Sequence, residues 1–176
     1  MGILVESIKV NLDVVEMMLF YWESVKNRDK VVDSFLIEVS EKEDMKYLYN
    51  DDFDKESVRR VLSAISNREK LNNPTKPEGR FWNYNMWMLE DLGNMNNMVS
   101  PIKTLNLDHL KDKLDSQYDN LEVVFIPGHF DEYYTDENKL IVNFFRIVVD
   151  FMDPEKVTID GKTIEDYVEE KLEELN

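Results

Sequence analysis

The spacing of apolar residues changes near residue 120, and this change constrains the fold more than any other feature of the chain. Before it, apolar side chains recur every three or four residues, which is the period of a helix face. After it, the apolar runs at residues 121–128 and 139–152 are typical of buried strands. Helical patterns followed by strand patterns predict an α+β fold.

The N-terminal region is expected to form a helical hairpin. Residues 4–26 carry one apolar stripe at helical spacing, and residues 30–40 continue the pattern after a polar break. The stripe consists of Leu4, Ile8, Leu12, Val15, Leu19 and Trp22. Further helices are expected to follow, and Asp54 is suited to cap the start of one of them.

The central segment, residues 81–99, fits two patterns. A helical face of apolar residues extends over its whole length, whereas the alternation typical of a strand covers only residues 82–88. The longer pattern favours a helix that ends at Ser100 and Pro101. A strand at the start of the segment is left open.

The last third predicts a small antiparallel sheet followed by a C-terminal helix. Residues 139–152 are interpreted as one long central strand, and residues 157–163 as a short strand with a turn. Thr163 is expected to cap an acidic helix. The 176 residues predict a single domain, with a possible internal boundary at residues 72–79, which contain two prolines and a glycine.

The net charge is −16 and is concentrated in the last third of the chain. Residues 121–176 hold 15 Asp and Glu against 5 Lys and Arg, a net charge of −10. Phosphate backbones and anionic membrane surfaces are bound by clustered Lys and Arg, which this chain lacks. We therefore expect no nucleic acid and no membrane as a partner, whereas a basic protein is compatible with the charge.

The chain has no cysteine, which excludes disulfides, thiolate nucleophiles and zinc sites with cysteine ligands. The N-terminal segment lacks the features of a signal peptide, and no uncharged apolar run reaches the about 18 residues of a membrane span. These features predict a cytoplasmic, soluble protein. No motif indicates a cofactor or a metal, and none gives the oligomeric state, so a homo-oligomer is left open.

The first candidate site is the loop that carries His129, Asp131 and Glu132. One imidazole and two carboxylates within four residues could act as an acid and base pair, or could bind a divalent cation. The favoured interpretation is a polar turn without a chemical role, because Pro127 and Gly128 are typical turn residues and charged side chains usually face water.

The second candidate site lies in the central segment and could bind a small ligand. Its residues are Arg80, Trp82, Asn83, Tyr84 and Trp87, which supply a cation, stacking rings and hydrogen-bonding groups. Aromatic residues at helical spacing more often belong to a core, and packing is the favoured interpretation here.

The sequence thus favours a small acidic protein-interaction module that is not an enzyme. The alternatives are a metal-assisted enzyme of hydrolase type that uses the His129 loop, and a small-ligand binder that uses residues 80–87. The charge distribution supports the interaction hypothesis. Catalytic motifs such as a nucleophile elbow or a phosphate-binding glycine loop are missing from the sequence.

Overall fold

The computed structural model describes residues 4–175, which divide into two compact units. The first, which we name the helical unit, comprises Asp13–Leu92 and Ile126–Phe130. The second, which we name the sheet unit, comprises the described residues up to Leu12, Gly93–Phe125 and the described residues from Asp131 onward.

The helical unit consists of four α-helices and one 3₁₀ helix in its described residues. They are α1 (Asp13–Lys26), α2 (Asp33–Glu41), a 3₁₀ helix (Glu43–Leu48), α3 (Lys55–Ser66) and α4 (Lys76–Glu90). Two of the helices begin with a capping box, in which two residues three positions apart each accept, through the side chain, a hydrogen bond from the backbone amide of the other. Asp54 and Ser57 form the box of α3, and Thr75 and Glu78 form that of α4.

Hydrogen bonds from buried polar side chains connect the helices of this unit. The Trp22 indole donates to the side-chain oxygen of Asn85 over 2.9 Å, and Asn85 donates to the carbonyl of Phe81 over 2.8 Å. The Tyr21 hydroxyl donates to the carbonyl of Leu62 over 2.6 Å. Because all these side chains are buried, each hydrogen bond satisfies a group that would otherwise be costly to remove from water.

The sheet unit contains the strands and the remaining α-helices of the described chain. They are β1 (Ser7–Asn11), α5 (Leu92–Lys103), β2 (Asn120–Ile126), β3 (Tyr133–Asp136), β4 (Lys139–Asn143), β5 (Val148–Val149), β6 (Val157–Ile159), β7 (Lys162–Thr163) and α6 (Ile164–Leu172). A four-stranded sheet has the order β1-β2-β4-β3, with β1 and β2 parallel and β3 and β4 antiparallel. Strands β5, β6 and β7 form a separate antiparallel sheet, on which α6 packs.

The α+β prediction is confirmed. Helices occupy the N-terminal and central regions, and a small sheet and a C-terminal helix follow them. The prediction that residues 4–26 form one helix is wrong at its start, because Ser7–Asn11 forms β1 and pairs with β2. Apolar residues at positions 8, 10 and 12 also alternate, so positions 8 and 12 belong both to the helical stripe and to a strand pattern.

The prediction that residues 139–152 form one long strand is also wrong. Strand β4 ends at Asn143, whose side-chain oxygen accepts a hydrogen bond from the backbone amide of Phe145 over 3.0 Å. This capping interaction turns the chain into a 3₁₀ helix at Phe144–Arg146, and β5 then belongs to the other sheet. A side chain that bonds the backbone locally competes with the strand ladder.

The central segment is helical, as favoured, and the alternative of a strand over residues 82–88 is wrong. It forms two helices, because Asp91 between α4 and α5 has an extended backbone. The expected end at Ser100 is also wrong, since α5 continues to Lys103 with Pro101 inside it. Residues 72–79, the possible internal boundary, lie within the helical unit, where residues 76–79 form the first turn of α4. The single-domain organisation stays a prediction. Among the helices of residues 4–175, none has the length and apolar character needed to cross a membrane.

Candidate functional site

His129 lies in the interior of the helical unit. Its Nε2 atom is 2.6 Å from the carbonyl oxygen of Leu48, to which the neutral ring donates a hydrogen bond. The imidazole also lies against the Phe53 ring, with 4.6 Å between the centroids. Burial lowers the pKa of His129, and the nearby Arg80 guanidinium lowers it further, while the bond to Leu48 opposes the shift. The ring thus lies in a packed environment, and burial favours its neutral form.

Asp131 and Glu132 belong to the sheet unit, where Asp131 is exposed and Glu132 is half-buried. The Glu132 carboxylate accepts a hydrogen bond from the Tyr167 hydroxyl over 2.7 Å. Burial raises the pKa of Tyr167, and the bond to Glu132 adds to the shift, so the hydroxyl stays protonated and continues to donate. His129 and Glu132 thus each have a partner within their own unit.

A metal site would need several ligands that converge on one point. Within residues 4–175, no group of three or more His, Asp and Glu side chains is placed to hold a metal ion. The enzyme alternative, with His129, Asp131 and Glu132 in catalytic roles, stays a prediction.

The residues of the second candidate site lie along α4. The Arg80 guanidinium donates to the backbone carbonyl of His129 over 3.3 Å, and Asn83 is exposed. Trp82, Tyr84 and Trp87 are half-buried, whereas the neighbouring Phe81, Asn85 and Met88 are buried in the core. The ligand-binding hypothesis for this segment likewise stays a prediction.

The acidic helix α6 uses several of its carboxylates in contacts within the sheet unit. Glu165 pairs with His109 at 2.8 Å, and Glu174, which follows the helix, accepts a hydrogen bond from the Tyr133 hydroxyl over 3.0 Å. Glu170 pairs with Lys171 at 3.2 Å and with Lys162. The carboxylates of Glu165 and Glu170 therefore connect α6 to other parts of the sheet unit.

The loop between β5 and β6 has a different character. We define the β5–β6 loop as Asp150–Lys156. It presents two large apolar side chains to solvent, with Phe151 exposed by 95% and Met152 by 84%. Val148, at the start of β5, is exposed by 55%. Single exposed apolar residues are common, whereas an adjacent Phe and Met that are almost fully exposed make this loop a candidate binding surface.

Hydrogen bonds within the β5–β6 loop hold its backbone in one conformation. The Asp150 carboxylate accepts from the backbone amides of Met152, over 2.8 Å, and Asp153, over 3.0 Å. The Asp153 carboxylate accepts from the amide of Glu155 over 3.2 Å. Backbone hydrogen bonds join Asp150 to Lys156 and Lys156 to Asp153, each at 2.9 Å. These local bonds supply partners for backbone polar groups of the loop, so the loop can project into solvent without hydrogen bonds to the core.

The carboxylate of Asp150 is stabilised in its charged form. The hydrogen bonds from the amides of Met152 and Asp153 lower its pKa below the ordinary value of 3.8, and the nearby Lys156 adds to the shift. At neutral pH the charged carboxylate therefore accepts both hydrogen bonds of the turn. A negative charge also stands directly beside the exposed Phe151.

Two clefts of the sheet unit are lined in part by residues of the strand β6. One has a volume of about 370 Å³ and is lined in part by Glu132, Val148 and Thr158. The other has a volume of about 580 Å³ and is lined in part by Glu155 and Thr158. The second cleft borders the β5–β6 loop, because Glu155 and Lys156 are among its lining residues.

We name Phe151, Met152 and the acidic residues Asp150, Asp153 and Glu155 the loop surface. Sequence reasoning missed it, because Phe151 and Met152 were assigned to the end of a long strand. The signal was present in the stretch DFMDP, since Asp residues that flank two apolar residues before a proline are typical of a turn.

The chain was compared with models of protein families, with curated proteins and with solved structures. None of them matches it.

Proposed function

We propose that this protein is a protein-interaction module that is not an enzyme, and that it binds its partner through the loop surface. The observation that carries the proposal is the exposure of Phe151 and Met152 on a hydrogen-bonded loop. Neither side chain contributes to a core, so their presence at these positions is explained by a contact with another molecule.

The energetics of such a contact are favourable. Full burial of a Phe or Met side chain contributes about 1.5–3 kcal/mol, so the pair supplies roughly 3–6 kcal/mol to binding. Aromatic residues and Met are also enriched at the centre of interfaces, where they act as anchors. Because the loop is already held by its own hydrogen bonds, little conformational entropy is lost when the partner binds.

The charge of the loop surface defines the chemistry of the partner. Asp150, Asp153 and Glu155 surround the two apolar side chains, with Lys156 as the only cation among residues 150–156. A complementary partner has an apolar pocket bordered by Lys and Arg. An anionic lipid surface would repel the loop, and a second copy of this chain would bring a further net charge of −16.

The test begins with the intact protein as bait in a lysate of the cells that express it, followed by purification of the captured protein. The dissociation constant is then measured by calorimetry for the native chain and for the Phe151→Ala, Met152→Ala double variant. We expect the double variant to bind at least about 100-fold more weakly, which corresponds to about 2.7 kcal/mol. We also expect the affinity of the native chain to fall as salt is added, because acidic and basic groups attract each other across the interface.

The matched control is Phe20→Ala, which removes a ring that is exposed by 57% on α1 of the helical unit. This variant should bind as the native chain does. Equal binding by the double variant and the native chain would refute the proposal. So would a captured protein that is acidic, or one whose affinity is indifferent to salt.

A further inference from the structure

Met152 differs from the other methionines of the described chain in its access to solvent. Met152 is exposed by 84%, whereas the others between residues 4 and 175 are buried or half-buried. The buried ones are Met18, Met45, Met88, Met95 and Met98, and the half-buried ones are Met17 and Met86. A reagent in solution therefore reaches the Met152 thioether far more readily than these.

The absence of cysteine makes this exposure chemically significant. Thiolates are usually the first side chains to react with mild oxidants, and this chain has none. Methionine thioethers are then the most readily oxidised groups in the protein. Because oxidation follows access to the oxidant, the reaction among the methionines of residues 4–175 should be concentrated at Met152.

We propose that Met152 is a site of reversible oxidation by peroxides, and that its oxidation weakens partner binding by the β5–β6 loop. The thioether sulfur attacks one oxygen of hydrogen peroxide and donates an electron pair as the O–O bond breaks. The oxygen stays on sulfur as the sulfoxide, and the other oxygen leaves as water after a proton transfer. A sulfoxide reductase with a dithiol donor reverses the step, releasing water as the dithiol becomes a disulfide.

The structure indicates why this modification would act on binding rather than on folding. A sulfoxide is polar, and at Met152 it would lie in water beside Phe151 without entering a core. The amide of Met152 that bonds Asp150 is not altered by the change. The effect on binding rests on the proposed function, whereas selective oxidation of Met152 can be measured without any partner.

The first experiment treats the purified protein with hydrogen peroxide and follows each methionine by peptide mass spectrometry. We expect sulfoxide to form at Met152 at least about fivefold faster than at the half-buried Met17 and Met86. Retention on a hydrophobic-interaction column should fall with the same time course and should recover after treatment with a methionine sulfoxide reductase and dithiothreitol. Oxidation of Met17 or Met86 at the same rate as Met152 would overturn the proposal.

The second experiment measures binding of the purified partner before and after oxidation. We expect oxidation to weaken binding at least about tenfold, which corresponds to about 1.4 kcal/mol. A Met152→Leu variant has no thioether at this position, so the affinity that it has before peroxide should be retained after peroxide. If the variant loses affinity in the same way, Met152 is not the sensitive residue and the inference fails. The native chain could be oxidised at Met152 while the Phe151→Ala, Met152→Ala double variant binds the partner as tightly as the native chain. In that case the proposed function fails and the oxidation site stands.

Discussion

The segment Ile126–Glu132 and the β5–β6 loop have similar compositions but opposite environments. The first reads IPGHFDE and the second DFMDPEK, so that both contain a proline, a phenylalanine and acidic residues. Residues 126–130 are all buried in the helical unit, whereas Phe151 and Met152 are exposed. Composition alone therefore does not distinguish a loop that belongs to a core from a loop that faces solvent.

The two segments differ in where their polar groups find hydrogen-bond partners. His129 bonds Leu48 and Arg80, which lie about 81 and 49 positions away along the chain. Gly128 is packed so closely that a Cβ atom built on it would lie 2.5 Å from the ring of Phe130. The amides of the β5–β6 loop instead bond Asp150 and Asp153 within three residues. Distant partners draw a loop into the interior, whereas local partners allow it to project.

The same substitution made in the two environments gives the largest expected difference. Phe53→Ala removes a buried ring that lies against both His129 and Phe81, and should lower the free energy of unfolding by about 3–5 kcal/mol. Phe151→Ala removes an exposed ring and should change it by less than about 0.5 kcal/mol. Urea denaturation followed by circular dichroism measures both. A cost above about 1 kcal/mol for Phe151→Ala would show that the loop packs on the protein.

The buried imidazole should give a smaller effect that depends on pH. His129→Leu leaves the carbonyl of Leu48 without its donor, and should cost about 1–3 kcal/mol at pH 8. The folded-state pKa of His129 lies below the ordinary value of 6.5, so the unfolded chain binds the proton more readily. The native protein should therefore lose stability as the pH falls below about 6.5 and through the lowered pKa.

The pH profile separates the role of the ring from that of its hydrogen bond. The stability should decline less between pH 8 and pH 5 for His129→Leu than for the native chain, because the variant lacks the imidazole whose pKa is lowered on folding. His129→Gln retains an N–H donor, so it should recover part of the stability at pH 8 while keeping the flatter profile. A His129→Leu profile parallel to the native one would contradict the assigned environment of the ring.

Features that depend on neighbouring residues were predictable from the sequence. The cap at Asp54 accepts from the amide of Ser57, and the cap at Thr163 accepts from the amide of Asp166. The apolar residues Val58, Val61 and Leu62 stand at helical spacing in the sequence, and all three are buried in α3. Such features are predictable because the groups that interact lie within one or two helical turns.

Features that depend on distant pairing were not predictable. Strand β1 forms because Ser7 pairs with Asn120 and Asn11 with Val124, and no local pattern reports that contact. The burial of His129 likewise depends on Leu48, which is remote in the sequence. The environment of a candidate catalytic residue is thus the kind of property that a single sequence reveals least.

The β5–β6 loop is intermediate in predictability. The hydrogen bonds that form it are local, but its apolar residues resemble those of a strand. Phe151 and Met152 extend the apolar run of residues 139–149, so the whole stretch resembles a strand. Asp150 and Asp153 supply the competing signal, since their carboxylates bond backbone amides that a strand would use in its ladder. The polar residues that interrupt an apolar run therefore carry more structural information here than the apolar residues.

The smallest expected effect tests whether local hydrogen bonds alone hold the β5–β6 loop in place. Asp150→Ala removes the acceptor for the amides of Met152 and Asp153, and these amides should exchange with solvent faster, as measured by hydrogen exchange. Asp150→Asn keeps a side-chain oxygen at the same position and should exchange like the native chain. Neither change should alter the free energy of unfolding by more than about 0.5 kcal/mol, because Asp150 lies outside the core. Unchanged exchange in Asp150→Ala would mean that contacts beyond the loop hold it, and the distinction between locally and distantly bonded loops would fail at this position.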